Sequence, residues 1–163
     1  MLSIKDLYVN YGGINALRGI SLDVPEGKIV TLIGANGAGK STTMNMMTGC
    51  LAPTSGDVKI GGYDIVEQPQ EAKKLIGYLP EIPPLYPDLA PAEYLRFVAE
   101  AKGVSKKDIP AQIAHAMEVT QITDVKDRLC KNLSKGYRQR TAFAAAIIHD
   151  PDVLIMDEPT DGL

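Results

Sequence analysis

Gly34-Ala35-Asn36-Gly37-Ala38-Gly39-Lys40-Ser41 constrains this chain more than any other segment, because it matches the spacing G-x-x-x-x-G-K-[ST]. The apolar run Ile29 to Ile33 before it reads as a buried β-strand, and Thr42 to Cys50 after it reads as a helix. A strand that turns through glycines into a helix points to an α/β architecture. The glycines at 34, 37 and 39 have no Cβ, so backbone N–H groups can point inward and form an anion-binding nest. The positive end of the following helix adds to it. Lys40 is placed to reach the β- and γ-phosphates of a nucleotide, and the Ser41 hydroxyl can ligate Mg²⁺. Asn36, Ala38 and Thr42 belong to the same cradle. The expected ligand is therefore a nucleoside triphosphate with Mg²⁺.

Composition bounds the partners. The chain has 163 residues, 45% of them hydrophobic, and a net charge of −3. That length suits one large domain or two small ones. The acidic balance argues against a protein that coats nucleic acid. Cys50 and Cys130 lie far apart and read as ordinary thiols of a reduced, cytoplasmic setting. Asp6 interrupts a very short apolar start, so the N-terminus does not read as a signal peptide. The longest apolar run, Ala142 to Ile148, is too short to span a bilayer. A membrane role would have to come through a partner.

Periodicity divides the chain. Leu2, Ile4, Leu7 and Val9 alternate in part and suggest a strand, and Ile20 to Val24 suggests another. Pro25-Glu26-Gly27-Lys28 reads as a turn, Asp57 to Ile60 as a strand closed by Gly61-Gly62, and Leu75 to Leu79 as a further strand. Residues 80–91 carry five prolines and read as an irregular linker. A helical block follows. It starts at Pro91, continues after Ser105 and Asp108, which resemble a capping box, and includes a third helix opened by Ser134 and running to about His149. Val153 to Met156 returns to strand and ends in Asp157-Glu158. A strand buried on both faces would deliver these carboxylates at its C-terminal edge, where parallel sheets bind ligands. Asp157 is the candidate Mg²⁺ holder and Glu158 the candidate for polarising an attacking water.

The segment Leu133-Ser134-Lys135-Gly136-Tyr137-Arg138-Gln139-Arg140 carries a resemblance to the ATP-binding subunits of ABC transporters, as a variant of their L-S-G-G-Q signature followed by Q-R. The resemblance runs over the whole chain. It implies a P-loop NTPase core with a mostly parallel sheet, an N-terminal antiparallel β region and an inserted helical subdomain. It places residues 1–80 and 151–163 in the core and 81–150 in the linker and helical subdomain. It implies a head-to-tail dimer in which Ser134 and the backbone at Gly136 face ATP held by the other subunit. It also implies a transmembrane partner, a location at the inner face of the membrane, and no direct contact with nucleic acid. Tyr11 falls where the family stacks an aromatic ring on adenine, with Tyr8 as a nearby alternative. Ile76-Gly77-Tyr78-Leu79-Pro80-Glu81 resembles the Q-loop, which makes Glu81 a candidate for contact with Mg²⁺ or water.

The departures are specific. Glu81 stands where most members carry glutamine, and Lys135 and Tyr137 replace a glycine and the glutamine of the signature. The variant signature resembles exporter branches, while residues 11–40 resemble an amino-acid importer branch, as a chimeric or designed chain would. The sequence ends at Leu163, where the family continues with a D-loop aspartate, further core strands and a switch histidine. His115 and His149 both fall in the helical block and match no switch. An ATP-binding chain with little or no turnover is therefore the alternative to an ATPase. A soluble ATPase acting on nucleic acid is a further one, for which the sequence has no basic arm.

Overall fold

The structure, a computed structural model, describes residues 1–11, 14–28, 30, 32 and 38–157, without the side chains of Tyr11 and Ile14. The chain forms two compact units, Met1–Ile76 and Gly77–Leu163.

In the first unit, strands β1 (Leu2–Tyr11) and β2 (Ile14–Val24) form an antiparallel pair. β3 (Ser55–Ile60) pairs antiparallel with the other side of β1, and β4 (Tyr63–Asp64) returns along β3. The sheet order is β2-β1-β3-β4. Leu2, Ile4, Leu7 and Val9 are all buried although the step from 4 to 7 breaks a period of two. The register of β1 slips between Ile4 and Leu7, and Asp6 takes φ +46°. The bulge absorbs one residue and brings Leu7 and Val9 back to the apolar face. Ser21 Oγ accepts the Asp6 N–H at 3.0 Å. Gly56 on β3 sits so near that a Cβ would collide with the Lys5 and Asp6 carbonyls, so the bulge requires glycine there. Pro25–Lys28 closes a turn through the Lys28 N–H and the Pro25 carbonyl.

Helix α1 (Lys40–Met47) buries Thr43, Met46 and Met47, which makes these methionines core. The strand expected at 29–33 lies mostly outside the described residues. Val30 and Leu32 are described and belong to no strand, and Val30 is 40% exposed. A six-residue helix, α2 (Pro69–Lys74), precedes β5 (Ile76–Leu79). Neither α2 nor β4 is long enough to leave a periodic signal in the sequence.

The second unit is built on three helices, α3 (Pro91–Ala101), α4 (Ile109–Val119) and α5 (Lys135–Ile147). Tyr94, Leu95 and Ala99 of α3, Ile109, Ile113 and Met117 of α4, and Ala144 and Ala145 of α5 share one core with Ile122, Val125, Cys130 and Leu133. Residues 80–90 form neither helix nor strand, as their prolines predict. They are tied down by Cys130 and Lys131 N–H groups donating to the Leu89 and Pro87 carbonyls. The capping box expected at Ser105 is not formed. Asp108 takes the N-cap position of α4, and Ser105 Oγ donates to its carboxylate at 2.5 Å, so the serine orders the turn before the helix. At α3 the Glu93 carboxylate accepts the Ala90 N–H at 2.9 Å.

β5 pairs with β6 (Val153–Met156). The Asp157 N–H donates to the Leu79 carbonyl at 2.9 Å, so the C-terminal ends lie side by side and the pair is parallel. β6 is less deeply buried than expected on one face: Val153 and Ile155 are buried, whereas Leu154 and Met156 are half-buried against a small cluster of Leu79, Ala142 and Ala146. Gly77 lies against the backbone of α5. A Cβ there would collide with the Ala146 carbonyl and stand 2.9 Å from Pro151.

Candidate functional site

Three clusters of the expected residues can be placed. The first is the start of α1. Gly39 is its N-cap, at φ +85° and ψ 9°, a left-handed conformation natural to glycine. A Cβ at Gly39 would collide with Leu17 of β2 and lie 3.1 Å from the Ala16 carbonyl. The Thr43 hydroxyl and N–H both bond the Gly39 carbonyl, at 2.9 Å each, and Thr43 is fully buried. No side chain caps this helix, and its first turn, Lys40 to Thr43, carries no carboxylate. The N–H groups that open a helix point out of its end with the positive pole of the dipole, and no carboxylate competes for them here, which suits a phosphate. Ser41 is exposed and Lys40 and Thr42 are half-buried. Thr43, which the sequence pattern does not single out, anchors the turn that Gly39 begins.

The second cluster is the shared end of β5 and β6. The bond between Asp157 and Leu79 sets Asp157 beside the end of β5, and Glu81 follows two residues later in an exposed bend. Parallel strands thus bring Asp157 and the segment bearing Glu81 to one edge, where a carboxylate can meet a cation. Among the described residues no three His, Cys, Asp or Glu side chains converge as a ready-made metal site. A hydroxyl such as that of Ser41 and a carboxylate such as that of Asp157 are each of a donor type that Mg²⁺ accepts.

The third is the start of α5. Ser134 is the N-cap, extended at φ −63° and ψ 163°, and its Oγ accepts the Tyr137 N–H at 3.3 Å. Ser134 is exposed and Gly136 half-buried. The first turn carries Lys135 and Arg138 and no carboxylate, so charge and dipole both favour an anion here. Arg138 turns back and donates to the Leu133 carbonyl at 2.6 Å. Tyr137 donates its phenolic O–H to Asp124 at 2.6 Å, and the Arg140 guanidinium lies 4.3 Å from its ring centroid. The hydrogen bond to Asp124, ahead of burial, raises the Tyr137 phenol above its ordinary value. Arg140 is the arginine of the Q-R that follows the signature, whereas Asp124 has no motif of its own. The signal that could have found them is the tyrosine at 137, which needs a partner for its hydroxyl.

The other expected residues divide simply. Gly34, Asn36, Gly37 and Glu158, and the side chain of Tyr11, lie outside the described residues, and Ala38 is described as exposed. Tyr8 is engaged elsewhere, since its ring and hydroxyl fill the space above Gly19 on β2. Cys50 is exposed and Cys130 buried, and both are free thiols. Among the described residues no helix is long and apolar enough to cross a membrane.

A sequence profile of the ABC transporter family matches residues 17–161. The ABC transporter ATP-binding protein YhaQ of Bacillus subtilis is 37% identical over 163 residues, covering all of this chain and 54% of that protein. The chain thus spans about half the length of this relative and of a second one from the same species. Among solved structures, an ATP-binding subunit of an ABC transporter superposes with a TM-score of 0.92 at 33% identity, over 99% of this chain and 68% of that one. A dimeric ATP-binding cassette in a post-hydrolysis state, bound to ADP and Pi, gives a TM-score of 0.87 at 26% identity, over 100% of this chain and 76% of its own.

Proposed function

Because the chain belongs to the ABC transporter family of ATP-binding subunits, we propose that it binds MgATP, closes on a second nucleotide-binding subunit around that nucleotide, and uses hydrolysis to reopen. The observation that carries this reading is the start of α5. An exposed serine caps a helix whose first turn is basic, and so offers a phosphate a hydroxyl, N–H groups and a dipole together.

The roles follow from the chemistry of each group. Gly34, Asn36, Gly37, Ala38, Gly39 and Thr42 wrap the phosphates, and Lys40 sets a positive charge against the β- and γ-oxygens. Tyr11 stacks on the adenine. Ser41 and Asp157 would hold Mg²⁺, and Glu81 would contact the ion or its water; the ion's chemistry would be to neutralise charge on the phosphate oxygens. Glu158 orients the attacking water in line with the γ-phosphate. Ser134 and Gly136 of one subunit complete the site of the other. A transmembrane subunit carries the transported molecule, so this chain works in the cytoplasm against the inner face of the membrane.

The test is equilibrium binding of ATP followed by steady-state turnover. Lys40→Ala removes a charged phosphate contact and should weaken ATP binding about 10- to 150-fold; equal affinity would refute the phosphate site. Turnover abolished by Glu158→Gln, with ATP affinity kept, supports the ATPase. Binding without turnover in the unaltered chain would leave an ATP-binding module and remove hydrolysis from the proposal.

A further inference from the structure

We infer that Tyr137, Asp124 and Arg140 form a clasp that fixes the first turn of α5, and that Tyr137 is thereby a positioning residue for the Ser134 hydroxyl. The inference rests on the reading of Ser134 as the group offered to the other subunit's nucleotide.

Tyr137 is held at four points. Its O–H donates to Asp124 at 2.6 Å, and its ring lies beneath the Arg140 guanidinium, 4.3 Å from the centroid. Its N–H donates to Ser134 Oγ at 3.3 Å, and its carbonyl accepts from Thr141 Oγ1 at 2.7 Å. Arg140 is fixed in turn by donating to the Gln121 carbonyl at 3.0 Å. Both outer anchors belong to the segment after α4. Asp124 lies in a short 3-10 turn, Thr123–Val125, and Gln121 just before it. Ile122 and Val125 of that segment are buried in the helical core, against which Tyr137 itself packs. The far end of the clasp is therefore anchored in the core while its near end reaches the exposed cap.

The consequence for Ser134 is one of proton direction. A hydroxyl has one proton and two lone pairs. One lone pair takes the Tyr137 N–H, which holds the oxygen at the helix end and leaves its proton free to turn toward an anion approaching from outside. The Tyr137 N–H can do this reliably only while its residue stays helical. The first turn is the part of a helix that frays most readily. The side-chain clasp resists fraying from the other side of the same residue.

The test uses ATP-driven self-association of the full chain with a non-hydrolysable analogue, measured by sedimentation, beside analogue affinity measured at dilutions where the chain stays monomeric. Tyr137→Phe and Asp124→Ala should each weaken association about 3- to 10-fold. The double variant should be no weaker than either single one. Asp124→Asn, which keeps an acceptor, should recover part of the loss, and monomer affinity for the analogue should stay unchanged in all four. Association equal to the unaltered chain, or losses that multiply in the double variant, would overturn the clasp. So would losses matched by a fall in monomer affinity. Amide exchange at Tyr137 without nucleotide gives a separate reading: exchange should speed up in Tyr137→Phe and Asp124→Ala, and unchanged exchange would also overturn the clasp. If the unaltered chain fails to associate with the analogue, the shared-site reading falls, and the exchange measurement alone decides whether the clasp exists.

Discussion

Replacing Gly39 by alanine tests whether the entry to α1 is seated on β2. Two costs can be separated. Alanine at φ +85° pays the left-handed penalty of an L-residue, about 1–2 kcal/mol. Its Cβ also drives into Leu17, which is 3% exposed and has little room to yield, and overpacking of that kind costs about 1–3 kcal/mol. The sum is roughly 2–5 kcal/mol of lost stability. Leu17→Ala alone should cost about 2–5 kcal/mol through the space it leaves. Combined, the two should cost less than their sum by about 1–3 kcal/mol, because the cavity accepts the new methyl. The backbone part of the penalty should remain. Urea denaturation of the four proteins, followed by far-ultraviolet circular dichroism, gives the cycle, and ATP affinity should fall with Gly39→Ala as the loop end shifts. Stability of Gly39→Ala within about 0.5 kcal/mol of the unaltered chain, or strict additivity with Leu17→Ala, would refute the reasoning.

Leu95, fully buried at the centre of the three-helix core, should cost about 2–5 kcal/mol when cut to alanine, read as a shift in denaturation midpoint; a loss under 1 kcal/mol would mean that the core is not packed as described. Alkaline stability follows from two groups in that core. Burial raises the Cys130 thiol above its ordinary 9.0, with Glu93 adding to it, and burial raises the Tyr94 phenol above 10.0, with Cys130 and then Tyr86 adding to it. A raised acid favours the protonated form in the folded state, so its contribution is complete below the unfolded value and is lost as pH climbs toward the folded one. Stability should hold to about pH 9 and then fall, and Cys130→Ala should move the onset toward pH 10. A flat profile from pH 8 to 11 would contradict the burial of both groups.

Much of this molecule is legible in its sequence because local chemistry and tertiary structure agree. The glycines and Lys40 announce a helix entered through a loop, and α1 begins at Lys40. Ser134 announces a capped helix, and its Oγ does accept the Tyr137 N–H. The prolines of 80–90 exclude regular structure, and none forms. What the sequence hides is set by contacts distant along the chain. The broken alternation of β1 records a bulge whose necessity is visible once β3 lies beside it with Gly56. Ser105 and Asp108 satisfy the spacing of a capping box, yet the helix starts one residue after the aspartate, because the hydroxyl prefers the carboxylate itself. The Tyr137–Asp124 bond joins residues thirteen apart on different elements, and no local pattern encodes it.

The seat of Gly77 on the carbonyl of Ala146 has a mechanical consequence. Side chains ordinarily fill the space between a helix and a strand. Here that filling is missing at the contact. α5 runs about 20 Å from the capped serine to this point, and its C-terminal part bears on bare backbone. α5 and β5 therefore meet here without a side chain from β5 between them, and β5 leads directly into the bend that carries Glu81. Any residue other than glycine at 77 would wedge the strand away from the C-terminal part of this helix.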